Sequence, residues 1–397
     1  MLNDDIFPGR QDFSLVLGGP LFQLLRRTHL AGDALELLRQ RMLVIPLLAW
    51  LPLLVLSLIE GEALGGRVAV PFLLDIEVHV RFLVALPLLI VAELVVHQRM
   101  RFVVRQFLER NLIPQSALPR FENAIASAFR LRNSVLAEVL LIALVYVVGI
   151  LLIWRYYVAL STATWYAVPT VEGLKLSITG AWYGYVSLPI YQFLLVRWYY
   201  RIFIWSRFLW QVSRIELIIV PTHPDRVGGL GFLANTVYAF MPLAVAHGAM
   251  LAGPIANRIF YLGATLPDWK VEIGVLVVFL VCLVLGPLLV FAPQLAQAKR
   301  TGNREYGALA ARYVREFDAK WVRGGASADE RLVGSGDIQS LADLANSFEV
   351  VRTMQFAPIT KDAFLRLVAA TVIPVVPLAL TMMPLEELLR KLLGIIF

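Results

Sequence analysis

The chain has 397 residues, 59% of them hydrophobic and only 16% charged, with a formal net charge of +7 and a mean hydropathy of +0.71. A water-soluble domain carries roughly a quarter charged residues, and here the deficit is gathered into long apolar runs, which excludes an ordinary soluble protein. The sequence predicts an all-α, polytopic transmembrane helix bundle of about seven spans, with its N-terminus cytoplasmic and with helical cytoplasmic extensions.

Residues 1–41 read as a cytoplasmic N-terminal segment. They lack the short apolar core and small-residue cleavage site of a secretory signal. Within them, 20–41 alternates apolar pairs with basic residues, as in an amphipathic helix on the inner leaflet facing anionic headgroups, or one packed on its own protein. A helix needs ~20 mostly apolar residues to cross the hydrocarbon core. Two such runs, 42–59 and 80–96, fill the segment 42–97. Residues 98–134 continue as cytoplasmic helices, stopped once by Pro114. Spans at 135–158 and 174–196 occupy 135–200, and no sheet is expected in the short outer loops. The segment 201–231 extends the fourth span and ends in a glycine-rich turn. Spans at 232–253 and 271–295 follow within 232–296. Residues 297–362 form a cytoplasmic helical hairpin, with Tyr306, Leu309, Tyr313, Phe317 and Trp321 on one face of its first helix and Asp337 as the N-cap of its second. The hairpin docks on neighbouring helices or mediates assembly, including a homo-oligomer. The last segment, 363–397, holds a span at 364–383 and a terminal amphipathic helix.

Basic residues set the orientation. With the N-terminus inside, the cytoplasmic segments carry 5, 7, 5 and 11 Lys and Arg, or 28 of 36. The distribution fits a multi-pass protein of the cell's inner membrane. It also accounts for the positive charge without nucleic acid.

Six of the seven spans contain proline, and broken helices of this kind line cavities in transporters. Ionisable and polar groups within spans point the same way, because charge in the bilayer is expensive. Glu93 and His97 are four apart and share a helix face. His247, with Asn235 and Tyr238 on preceding turns, makes a polar stripe in the fifth span. These five are the candidate pathway-lining residues. Glu138 and Arg155 read as structural, Arg155 snorkelling into an outer aromatic belt.

The stretch "VPTHPDRVGGLGF" is the most distinctive motif. Its His-Pro-Asp resembles the tripeptide of J-domain co-chaperones, but the preceding "ELIIV" and the following span exclude that family. Gly228, Gly229 and Gly231 permit positive φ beside a helix N-terminus, where free N–H groups favour an anion. His223, Asp225 and Arg226 complete a candidate ligand-binding turn for an anion or lipid headgroup; alternatively Asp225 only caps a turn. Metal ligation by His223 and Asp225, with Glu93 and His97, lacks the usual spacing, and no cofactor is implied. No Walker loop, Ser/His/Asp signature or zincin motif occurs. The favoured reading is a channel or transporter for a small ion or polar solute, its pocket open to the cytosol. An enzyme acting on phosphorylated headgroups and a non-catalytic assembly or signalling subunit are the alternatives.

Overall fold

The computed structural model describes residues 13–27, 38–65, 68–154, 164–170 and 173–382. Arg155, the terminal stretch 384–397 and the middle of the amphipathic N-terminal segment lie outside the described residues. Helices dominate. In chain order they are α1 (Pro20–Arg27), α2 (Leu38–Glu60) and α3 (Ile76–Glu109). Next, α4 (Gln115–Arg132) meets α5 (135–154) at a 48° bend. After an outer loop come α6 (178–212) and α7 (Leu230–Leu262). The long α8 (Leu266–Val322), α9 (Gly336–Arg352) and α10 (Lys361–Met382) complete the order.

By length and apolarity, α2, α3, α7, α8 and α10 can each cross a bilayer, and the bent α4–α5 pair makes a sixth. Among the described residues the expected count of about seven is not confirmed, because α6 falls short in apolarity rather than in length. It carries Trp, Tyr, Gln and Arg where the others carry Leu and Val, and it turns them inward: Tyr191, Arg197, Trp198, Arg201 and Trp205 are all buried. Elsewhere the apolar surface points outward. Leu43, Leu47, Leu51, Val55 and Leu58 form an exposed stripe along α2, while Ala49, Leu53 and Ser57 of the same helix are buried. In water such a stripe would aggregate; against lipid tails it is the ordinary outer face of a span.

The prolines leave local signatures. Wide π turns at Val80–Ala85 and Tyr183–Ser187 sit just before Pro87 and Pro189. A proline has no N–H to give to the carbonyl four residues back and its ring clashes with that carbonyl, so the preceding turn opens to i+5 pairing. Pro287 and Pro374 instead begin tight 3₁₀ stretches, Gly286–Phe291 and Ile373–Met382.

Two expectations are corrected outside the spans. The outer loop between α5 and α6 holds a small antiparallel hairpin, β1 (Ala167–Thr170) with β2 (Gly173–Leu176), in the register Ala167 opposite Leu176. Its base is fixed by Asp75, which accepts from Trp165 Nε1 at 2.8 Å and from Asn257 Nδ2 at 2.7 Å, tying the loop to the outer ends of α3 and α7. Between α8 and α10, Asp337 is not the N-cap of α9. Ser335 holds that position, and the Asp337 carboxylate instead closes the hairpin onto Trp321 Nε1 at 2.8 Å and Lys320 Nζ at 3.0 Å.

Candidate functional site

A cluster of buried charge sits where α2, α3, α5 and α6 meet. Glu93 projects from α3, and its Oε2 accepts from Arg41 Nη1 at 2.7 Å. Its Oε1 accepts from Arg201 Nη2 at 2.7 Å and more distantly from Arg197 Nη1 at 3.5 Å. Arg197 and Arg201, one turn apart on α6, share a helix face. Arg197 also donates through Nη2 to Glu138 Oε1 at 3.2 Å. The other Glu138 oxygen accepts the Leu21 backbone N–H at 2.8 Å, which docks the start of α1. None of the five side chains is more than 10% exposed. Among the described residues three guanidiniums face two carboxylates, so the cluster holds one surplus positive charge. Arg41, 2% exposed, leaves Nε and Nη2 buried with no hydrogen-bond partner among the described residues.

An N-terminal strap, residues 13–19, packs beside this cluster. Phe13, Leu15 and Val16 are buried, and the Phe13 ring packs on Phe129 and Phe208. Ser14 Oγ accepts from Val16 N–H and Leu17 N–H and lies 3.0 Å from His97 Nδ1. Arg132 Nη1 donates to the Ser14 carbonyl at 2.7 Å. Gly19, at φ +91°, has room for no side chain: a Cβ there would stand 2.9 Å from the Arg132 carbonyl and 3.3 Å from Glu138 Oε1.

Glu93 and His97, paired in sequence as one face of a span, therefore both reach this region. Glu138, read from sequence as structural, belongs to the cluster itself. In the sequence, Arg41, Arg197 and Arg201 stand out only as part of the basic residues counted on the cytoplasmic side. Their one local signal is the four-residue spacing of Arg197 and Arg201 inside an aromatic helix.

The polar stripe of α7 divides. His247 is buried, with Nδ1 2.7 Å from the Leu243 carbonyl and Nε2 2.7 Å from the Tyr199 hydroxyl. A neutral imidazole protonated at Nδ1 satisfies both bonds, donating to the carbonyl and accepting from the phenol. Asn235 and Tyr238 instead line a cavity of about 410 Å³ with Arg99, Phe102, Val103, Gln106 and Arg366, between α3, α7 and α10.

The glycine-rich turn is built around Asp225. Its carboxylate accepts three backbone N–H groups, from Val227 at 2.9 Å, Gly229 at 3.1 Å and Gly231 at 2.8 Å. His223 Nδ1 stands 2.8 Å from the same carboxylate. Gly228 and Gly229 have φ of +64° and +100°, and Arg226, also at positive φ, accepts the Gln355 N–H on its carbonyl at 2.7 Å. The donors that could have cradled an outside anion are thus occupied by the chain's own carboxylate. Burial pushes the Asp225 carboxyl up, but the N–H groups of Val227, Gly231 and Gly229, with His223, outweigh it and hold the carboxyl below its usual range. A carboxyl depressed on folding stabilises above its unfolded pKa, about 3.9, and loses that contribution as pH falls through the lower folded value. Asp225→Asn should therefore lower the melting temperature in detergent near neutral pH, and the gap from the wild type should close as both are acidified below about pH 4. A gap independent of pH would contradict this role.

Among the described residues, no group of three or more His, Cys, Asp or Glu side chains could hold a metal ion. Comparison with protein families, with curated proteins and with solved structures finds no match. What the protein does has to be read from its own geometry.

Proposed function

We propose that the chain is a membrane channel or transporter for a small anion, entered from the cytosol, with the cluster of Arg41, Arg197, Arg201, Glu93 and Glu138 as its charged centre. One observation carries this reading: among the described residues the cluster is not neutral, and Arg41 keeps buried donors without partners. An unmade hydrogen bond on a buried donor costs ~1–3 kcal/mol, more for a charged group. A purely structural lock would remove that cost by balancing the charges or by replacing the ions with apolar side chains. A passing anion would meet the free Arg41 N–H groups, and Glu93 and Glu138 would keep it from binding too tightly to leave. The kinked helices and the strap over the cluster fit a pathway that opens and closes.

The test is flux into proteoliposomes containing only this protein, with chloride, nitrate, phosphate and small carboxylates beside potassium and sodium. Anion flux above that of empty liposomes is expected. Cation flux alone, or none for any of these ions, would contradict the proposal. A second reading, an assembly or signalling subunit, draws on the apolar residues that the cytosolic helices leave exposed, Leu309, Val314, Val322 and Ile338 among them. Absence of flux together with a stable oligomer would favour it.

A further inference from the structure

The cytosolic cavity between α3, α7 and α10 is a second, separate place where positive charge is left over. Arg99 of α3 and Arg366 of α10 both lie over the ring of Tyr238, their guanidinium carbons 5.6 and 5.4 Å from its centroid. Arg366 is neutralised by Asp362 at 2.9 Å, and the same carboxylate accepts the Tyr238 hydroxyl at 2.7 Å. Arg99 has no carboxylate partner among the described residues, so two like charges are drawn to one ring with one counter-charge between them. The remaining lining is mixed. Asn235 is exposed and can donate, Gln106 Oε1 is buried with no partner among the described residues, and Phe102 and Val103 supply an apolar wall. The volume, about 410 Å³, falls within the ~300–1,000 Å³ of small-molecule pockets. By the topology this wall and these arginines stand at the level of the inner leaflet's headgroups.

We propose that this cavity binds a phosphate-bearing anion, with Arg99 as its principal charged contact and Arg366 and Asn235 as supporting donors. Planar guanidiniums suit phosphate oxygens through paired N–H donors. An anion here would supply the counter-charge that Arg99 lacks, and Phe102 and Val103 would pack against the glycerol or acyl part of a phospholipid. The phosphate has two possible sources, an inner-leaflet lipid or a soluble phosphate reaching the cavity from the cytosol. The site is distinct from the conduction centre: Arg99 lies six residues beyond Glu93, or about 240° round the helix.

The experiment is thermal unfolding of the purified full chain in detergent, titrated separately with phosphatidylglycerol, phosphatidylcholine, glycerol phosphate and inorganic phosphate. Wild type should be stabilised in a saturable way by phosphatidylglycerol. Arg99→Gln should need about tenfold or more ligand for the same stabilisation, as expected for loss of a charge-assisted pair. Its unliganded melting temperature should stay close to wild type, since the side chain is exposed. Arg99→Lys, keeping charge but not the planar fork, should fall between the two. Arg207→Gln, an exposed cytosolic arginine elsewhere on the surface, should titrate like wild type. Stabilisation by phosphatidylglycerol but not by the soluble phosphates identifies the lipid; stabilisation by all three identifies a phosphate site open to the cytosol. Arg41→Gln, which probes conduction, should leave these titrations unchanged, so either proposal can fail without the other. The phosphate site is overturned if no phosphate compound stabilises wild type, or if Arg99→Gln titrates as wild type does.

Discussion

Glu93→Gln is expected to be among the most damaging single substitutions in the protein. Glu93 is the one acceptor shared by Arg41, Arg197 and Arg201. Removing its charge leaves three buried guanidiniums facing Glu138 alone. Breaking a buried ion pair by neutralising one partner costs ~3–5 kcal/mol because the other charge stays buried and uncompensated. Gln keeps one acceptor oxygen, which places the loss toward the lower end of that range. Thermal unfolding in detergent should register it as a large drop, and neutralising a second member in Glu93→Gln/Arg201→Gln should restore part of it. A double variant less stable than the single would mean that Arg201 holds the bundle by packing and not by charge.

The second large effect is steric. Gly248 of α7 faces the backbone of α10 so closely that a Cβ would stand 2.0 Å from the Thr371 carbonyl oxygen. The obstacle is main chain, which cannot rotate aside. Within a membrane, helices associate through such small-residue contacts, since lipid supplies no hydrophobic force to hold them together. Gly248→Val should therefore separate α7 from α10 and lower both yield and melting temperature. Gly274→Val is the control: it also sits in a membrane helix, α8, with nothing within 4 Å of where its Cβ would be. Equal effects from the two would show that β-branching in the helix, and not the close approach, causes the loss.

Much of the architecture was legible because membrane spans announce themselves through unbroken apolarity. The runs that became α2, α3, α7, α8 and α10 needed only length and composition. The span expected at 174–196 begins in β2 and continues as α6, whose aromatic and basic side chains pack inward and make it less apolar than a lipid-facing span. The outer hairpin is four residues a side, too short for an alternating pattern to stand out. In the candidate site, Glu93 and His97 were visible because a carboxylate and an imidazole one turn apart inside a span are rare. Their partners were not. Arg41 comes from the start of α2, and Arg197 and Arg201 from inside α6, where positive-inside counting explains arginine without any site. Only the packing of α2, α3, α5 and α6 brings them to Glu93 and Glu138. Likewise the glycines of the 228–231 turn signalled positive φ, whereas the sequence left open whether Asp225 or an outside anion would take their N–H groups.

We propose that the surplus positive charge of this cluster selects anions, and Arg41 is the residue to question. Its guanidinium supplies the free donors, yet Arg197 and Arg201 still hold Glu93 without it. The decisive measurement is the ratio of anion to cation flux in proteoliposomes for wild type and for Arg41→Gln, each shown to be folded by its unfolding transition. Loss of one buried charge-assisted contact, worth ~1.5–3 kcal/mol, predicts a fall in that ratio of about tenfold or more. A folded Arg41→Gln protein with the wild-type ratio would contradict the account.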